Sequence, residues 1–262
     1  MSEREKTTQQ EAAVRSGASE DSKAIHTIRI QPMELSFQTN EALKMLRANI
    51  QFSGYGLKAL AVTSCQANEG KSFISFELAR SLAELGERTL YLDCDIRDSV
   101  AQARLGVTEK LPGLSDFLVG KAQIGDILCR TNLPHLHMIF AGSISPNPAE
   151  LLSEELFERL CEALKKNYDY IIMDTAPLGL VIDAAIIAKQ CDGSIIVIKA
   201  GNTDRKLAQL VKGRLEAADT RILGVVLNES SGGHGGYGYG GYGYGEYGYG
   251  EKKASGKKAK KR

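Results

Sequence analysis

The 262 residues suffice for one large α/β domain with tails, and 43% apolar with 25% charged residues is an ordinary globular balance. The formal net charge is +1, but residues 251–262 hold seven Lys/Arg against one Glu, so this tip carries +6 and the rest −5; with no aromatics interleaved, it argues against a nucleic-acid binder. Five scattered cysteines (Cys65, Cys94, Cys129, Cys161 and Cys191), none in a CxxC pair, exclude a disulfide framework and a zinc site, and His26, His135, His137 and His234 show no metal spacing.

Residues 1–25 are rich in Glu, Gln, Ser, Thr and Lys and are expected to be flexible, because they cannot bury enough surface to offset ordering entropy. The opening MSEREKTTQQ does not read as a signal peptide. Residues 26–230 alternate strand and helix patterns. Apolar runs predict buried strands at Ala59–Thr63, Thr89–Leu92, Leu136–Phe140, Tyr170–Met173, Ser194–Ile198 and Ile222–Leu227. Helical spacing predicts Lys71–Glu84, Ala149–Lys166, Asp183–Lys189 and Arg205–Ala217. Such alternation predicts a doubly wound α/β fold, a mostly parallel sheet with helices on both faces and ligands beyond the carboxyl ends of the strands, which the Gly70-Lys71-Ser72 phosphate-loop motif makes P-loop NTPase-like. The most apolar stretch, Ile171 to Ala188, contains Asp174, Pro177 and Asp183, so no membrane span is predicted and the chain is expected to be cytoplasmic.

The segment VTSCQANEGKS follows a predicted strand and opens a predicted helix. Gly70-Lys71-Ser72 is the diagnostic end of a P-loop, in which backbone N–H groups and the helix N-terminus face phosphates. Gly70 allows close backbone approach, Lys71 reaches the β/γ oxygens, and Ser72 binds Mg²⁺. Cys65 stands where the plain GxxxxGK[ST] pattern has its first Gly, and Asn68 tolerates a left-handed backbone. A chance Gly-Lys-Ser at a helix start is the bland reading, and the strand–loop–helix context weighs against it. Two further strands end in carboxylates: TLYLDCDIR in Asp93-x-Asp95-x-Arg97, and YDYIIMDTAP in Asp174. Asp93 and Asp95 as mere helix caps is the plain alternative. Two acidic strand ends after a P-loop favour a set that holds a metal, orients it through water and accepts a hydroxyl proton.

These segments resemble the bacterial tyrosine kinases of the capsule and exopolysaccharide type, over about Leu35 to Asn228 plus the tail. Cys65–Ser72 resembles their Walker A loop, Leu90–Arg97 their Walker A′ motif, and Ile171–Asp174 their Walker B strand. The resemblance implies ATP and Mg²⁺ as cofactors. The expected ATP contacts are Cys65, Gln66, Ala67, Asn68, Glu69, Gly70, Lys71, Ser72 and Phe73, with Asn228 near adenine. Ser72, Asp95 and Asp174 are the expected metal ligands, and Lys71, Asp93, Asp95, Asp174 and Arg97 the catalytic set. Asp93 is the first candidate to accept the Tyr proton, although the sequence leaves open which of the three carboxylates does so.

Residues 231–250 are mostly Gly and Tyr and are expected to form a mobile arm. Tyr237, Tyr239, Tyr242, Tyr244, Tyr247 and Tyr249 resemble the family's autophosphorylated cluster, so 231–262 is read as a phosphoacceptor tail with a basic tip. A low-complexity linker is the bland alternative. Glu41, Lys44 and Arg47 resemble the family's ExxRxxR helix, which packs subunits into a ring, with Lys44 replacing the middle Arg. The resemblance further implies a transmembrane activator (the polysaccharide co-polymerase subunit) docking through its cytoplasmic tail, recruitment to the inner face of the plasma membrane, and a phosphotyrosine phosphatase. The main rival is a partitioning or positioning ATPase of the same P-loop subclass. Such proteins usually carry a Lys where Gln66 stands and lack a Tyr tail. A non-enzymatic ATP-binding adaptor is the second rival, and the intact Lys71, Ser72 and three carboxylates argue against it.

Overall fold

The computed structural model describes residues 26–31 and 33–230; the expectations for 1–25 and for the Tyr-rich tail and tip fall outside the described residues. The chain divides into two units, Met1–Ser230 and Ser231–Arg262, of which the first holds the fold. In chain order its elements are β1 (His26–Ile28), α1 (Phe37–Phe52), β2 (Ala59–Ser64), α2 (Lys71–Ala83), β3 (Thr89–Asp93), α3 (Ala101–Arg104), α4 (Leu114–Leu118) and α5 (Ile124–Ile127). They continue with β4 (Leu128–Thr131), β5 (Leu136–Ile139), α6 (Pro148–Ser153), α7 (Glu155–Asn167), β6 (Tyr170–Asp174), α8 (Asp183–Ala188), β7 (Gly193–Lys199), α9 (Arg205–Ala217) and β8 (Ile222–Asn228).

The eight strands form one sheet in the order β1-β4-β5-β3-β6-β2-β7-β8. Every neighbouring pair is parallel except β4 with β5. β2 and β3 are buried at every position, as expected of central strands covered on both faces. Alternate side chains feed different cores. Leu60, Val62, Tyr91 and Ile172 pack with Leu78 and Leu82 of α2, whereas Leu90, Leu92, Ile171 and Met173 pack with Phe157, Leu160 and Leu164 of α7. Ala61 and Ile196 meet the small face of α8, Ala184, Ala185 and Ala188, together with Val211 and Leu215 of α9. Emptying the fully buried Phe157 position by Phe→Ala costs about 3–5 kcal/mol on general grounds.

The predicted helix Ala149–Lys166 is in fact two, α6 and α7, separated at Glu154, whose backbone is extended (φ −74°, ψ 149°). Leu152 and Phe157, five positions apart, would stand about 140° apart around one continuous helix. The break lets both enter the same core. The short strands β1 and β4 and the short helices α3, α4 and α5 were not predicted. Each has three to five residues, too few to show a period.

Register fixes the site. Asp93 at the end of β3 lies opposite Asp174 at the end of β6, and Asp174 in turn lies opposite Val62 of β2. The loop leaving β2 therefore crosses above two strand-end carboxylates. Among the described residues no helix is long and apolar enough to cross a membrane.

Candidate active site

β2 delivers the chain into a tight loop, Cys65–Gly70, that needs two left-handed residues, Asn68 (φ 62°) and Gly70 (φ 86°). Gly70 caps α2 in a left-handed conformation (φ 86°), and a Cβ there would lie 2.0 Å from Nδ2 of Asn228, so any other residue is strained and must displace Asn228. The first N–H groups of α2 have no partner within the helix and form an anion-seeking end. Not every loop N–H faces outward, as the sequence reading expected. The N–H groups of Cys65 and Gln66 donate to the Glu69 carboxylate at 2.7 and 2.8 Å. A loop this short closes on its own acidic side chain. Gly179 is equally constrained, since a Cβ on it would stand 1.9 Å from the Cys65 carbonyl oxygen.

Lys71 is 8% exposed, and its Nζ lies 2.9 Å from Asp174 Oδ1, 3.7 Å from Asp95 Oδ2 and 3.2 Å from Ser72 Oγ. Burial disfavours its charge, but Asp174 and then Asp95 outweigh that cost, and its pKa is raised. Asp174 also accepts from Ser75 Oγ at 3.2 Å and from the Tyr91 hydroxyl at 2.9 Å. Burial, reinforced by Asp174, pushes the Tyr91 phenol well above its ordinary range, so it stays a proton donor to the carboxylate. Asp93 is 1% exposed and accepts from Ser99 Oγ and, at 3.2 Å, from the Asp95 N–H. Burial first and the nearby Asp174 second push its pKa up to about 7. Asp95 is raised too, by burial acting against the pull of Lys71.

Of these groups, Lys71 and Asp95 border a cleft of about 240 Å³. Of the residues expected from sequence, Gln66, Ala67, Asn68, Glu69, Gly70, Lys71, Ser72, Asp95 and Arg97 line it. Cys65, Asp93 and Asp174 are buried beneath the lining, and Phe73, in the first turn of α2, packs against the core. Asn228, at the end of β8, reaches the loop by donating from Nδ2 to the Glu69 carbonyl at 3.0 Å. Arg97 makes a two-pronged pair with Asp183 of α8, at 2.5 and 3.0 Å. Asp183, Tyr91, Ser75 and Thr203 join the site without having been expected from sequence, as do Arg104, Val100, Leu180 and Val181 on the cleft wall. Only the Asp183 site carried a sequence signal, an acidic residue opening a predicted helix after the Asp174 strand.

On α1, Glu41 and Lys44 pair with each other at 2.7 Å on the surface. Arg47 instead turns inward, donating from Nη1 to the Ser81 carbonyl at 2.7 Å and to Ser81 Oγ at 2.9 Å. The six tail tyrosines lie outside the described residues.

A family model described as an AAA domain matches residues 57–212. The tyrosine-protein kinase CpsD of Streptococcus agalactiae serotype Ia is 45% identical over 194 residues, covering 74% of this chain and 84% of the relative. The solved kinase domain of the Escherichia coli tyrosine kinase ETK is 30% identical with a TM-score of 0.68, covering 76% of this chain and 79% of that one. The septum site-determining protein MinD of Pyrococcus horikoshii, solved with Mg-ADP, is 23% identical with a TM-score of 0.57 over 65% of this chain and 69% of that one, a likeness that carries the fold alone. With a P-loop whose lysine is held between Asp174 at the end of β6 and Asp95 just past β3, and with these relatives, the chain belongs to the bacterial tyrosine-protein kinases of the capsule type.

Proposed function

We propose that this chain transfers the γ-phosphoryl group of ATP to tyrosine hydroxyls, its own C-terminal cluster first among them, in the control of capsular or exopolysaccharide synthesis. The observation that carries the reading is the meeting of Lys71, Asp95 and Asp174 under a phosphate loop, in a chain 45% identical to a tyrosine-protein kinase.

The residues present suit a magnesium nucleotide. Ser72, Asp95 and Asp174 offer the hard oxygen ligands that Mg²⁺ prefers. The left-handed turns at Asn68 and Gly70 shape a loop that ends at the open N-terminus of α2, and a fold relative has been solved with Mg-ADP. Bound Mg²⁺ would neutralise charge on the transferred group. The N–H groups at the start of α2 bind the phosphates, and Lys71 adds a buried cation where charge spreads in the transition state. The phenolic oxygen forms the new P–O bond as the β–γ bridging bond breaks, and ADP leaves with the electron pair. The phenolic proton passes to a carboxylate, and Asp93 is our candidate. It ends β3 opposite Asp174 and burial raises its pKa, while its carboxylate lies beneath the cleft lining. Of the three candidate carboxylates, Asp95 is the one that lines the cleft, and it is the direct competitor for the role. Arg97 supplies further positive charge at the cleft wall.

Tyr237, Tyr239, Tyr242, Tyr244, Tyr247 and Tyr249 are the proposed acceptors, since Gly spacers thread an active site without clashes. Supply of the tail by a neighbour in a ring, through the Glu41–Arg47 helix, would raise its effective concentration. A transmembrane activator's cytoplasmic tail and a phosphotyrosine phosphatase are the proposed partners, with recruitment to the inner face of the plasma membrane. Each added phosphate brings about −1.5 to −2 charges and favours ejection of the tail. The test is phosphoamino-acid analysis after incubation with ATP and Mg²⁺, with and without the activator segment. Phosphotyrosine supports the reading; ADP formation without phosphotyrosine in either condition replaces it with a switch ATPase.

A further inference from the structure

Glu69 is a carboxylate inside a phosphate-binding loop, where like charge works against the incoming polyanion. It is 1% exposed, and its partners are all neutral: the N–H groups of Cys65 and Gln66 and the hydroxyl of Thr203 in the β7–α9 loop. Burying such a charge is costly unless every oxygen is satisfied. Here one oxygen takes both N–H groups and the other takes the hydroxyl. Thr203 is itself anchored, because the Lys199 N–H donates to its Oγ1 at 2.9 Å. The backbone of Glu69 is held as well, by Asn228 Nδ2 at 3.0 Å. One residue thus ties the phosphate loop to the ends of β7 and β8.

We propose that Glu69 is a positioning residue, whose carboxylate holds the phosphate loop in its nucleotide-ready shape before nucleotide arrives and braces it on Thr203. The proposal rests on the nucleotide-binding reading of the site. The cost of like charge is offset because a loop ordered in advance does not draw on binding energy to order itself. Gln in its place keeps one oxygen for the two N–H groups and turns an amide toward the Thr203 oxygen, so it preserves the brace; Ala abolishes it.

The test compares Glu69→Ala, Glu69→Gln and Thr203→Val by two readouts, titration with a fluorescent ATP analogue and amide hydrogen exchange at Cys65 and Gln66 without nucleotide. Glu69→Ala should weaken binding roughly tenfold or more and speed exchange by a similar factor, the size expected when the buried N–H groups of Cys65 and Gln66 lose their acceptor. Glu69→Gln should stay within about threefold of the parent on both, and Thr203→Val should fall between. If Glu69→Ala does not fold, Thr203→Val, which leaves the loop's own contacts intact, carries the test. Parent-like binding and exchange in the variant that carries the test overturn the proposal, as does Glu69→Gln failing as badly as Glu69→Ala. If the unmodified chain binds no nucleotide, the functional reading fails, while the exchange result still decides whether the brace exists.

Discussion

Nζ of Lys71 stands 2.9 Å from Asp174 Oδ1 and 3.7 Å from Asp95 Oδ2, so the phosphate-loop lysine is also the counter-ion of two carboxylates, one at the end of β6 and one just past β3. Its replacement therefore removes more than a phosphate contact. Lys71→Met should lower the stability of the nucleotide-free protein by about 3–5 kcal/mol, the usual result of stranding a buried charge. Adding Asp174→Asn should recover part of that loss. Denaturant titration of the two variants checks this, and a double variant no more stable than Lys71→Met would show that the pair does not compensate.

Asp93 gives a pH signature. Its folded pKa, raised to about 7, lies above an unfolded value of about 3.9, so the folded state holds the proton more tightly. Its contribution is complete below about pH 4 and is lost as pH rises to about 7, beyond which it is constant. Asp93→Asn has no such loss. Relative to the parent it should gain on the order of 2–4 kcal/mol between pH 4 and 7 and then level off. Melting curves at several pH values decide this, and a pH-independent difference contradicts it.

The Arg97–Asp183 pair is two-pronged, and Asp183 is 1% exposed. Asp183 therefore fixes where the Arg97 guanidinium points. Each single Ala variant should lower kcat about tenfold or more with little change in KM for ATP, and the double variant should be no worse than the Arg97 single. Additive losses would mean that the two act independently.

Gly70→Ala faces both a left-handed backbone (φ 86°) and a Cβ 2.0 Å from Asn228 Nδ2. Asn228→Ala relieves the clash but not the strained backbone, and it removes the hydrogen bond from Asn228 to the Glu69 carbonyl. Nucleotide binding should fall by about a hundredfold or more in Gly70→Ala and be only partly restored in the double variant, because a strained φ costs about 1–3 kcal/mol alone. Full restoration would show that the clash is the whole effect.

The phosphate loop, the Asp93-x-Asp95-x-Arg97 turn and Asp174 were legible because each is a short apolar strand with a polar end, a pattern local in sequence. The register that sets Asp93 against Asp174 was not, since it pairs residues far apart in the chain. Thr203 lies 134 positions from Glu69, and no local pattern announces their contact. Glu69 itself was read as a nucleotide contact, while its side chain points into the loop. Arg47 was read as a subunit contact from its helix motif, and its inward bond to Ser81 depends on how α1 packs on α2. The break at Glu154 was hidden because good helix formers flank it, and only the demands of the core on Leu152 and Phe157 reveal it.

The central claim is phosphoryl transfer to the tail. The direct measurement is mass spectrometry of the C-terminal peptide after incubation with ATP and Mg²⁺, with the activator's cytoplasmic segment present and Lys71→Met, checked for folding, as control. Phosphate on residues among Tyr237–Tyr249 that disappears in the variant is the predicted result. An unmodified tail in a protein that nonetheless consumes ATP would contradict it.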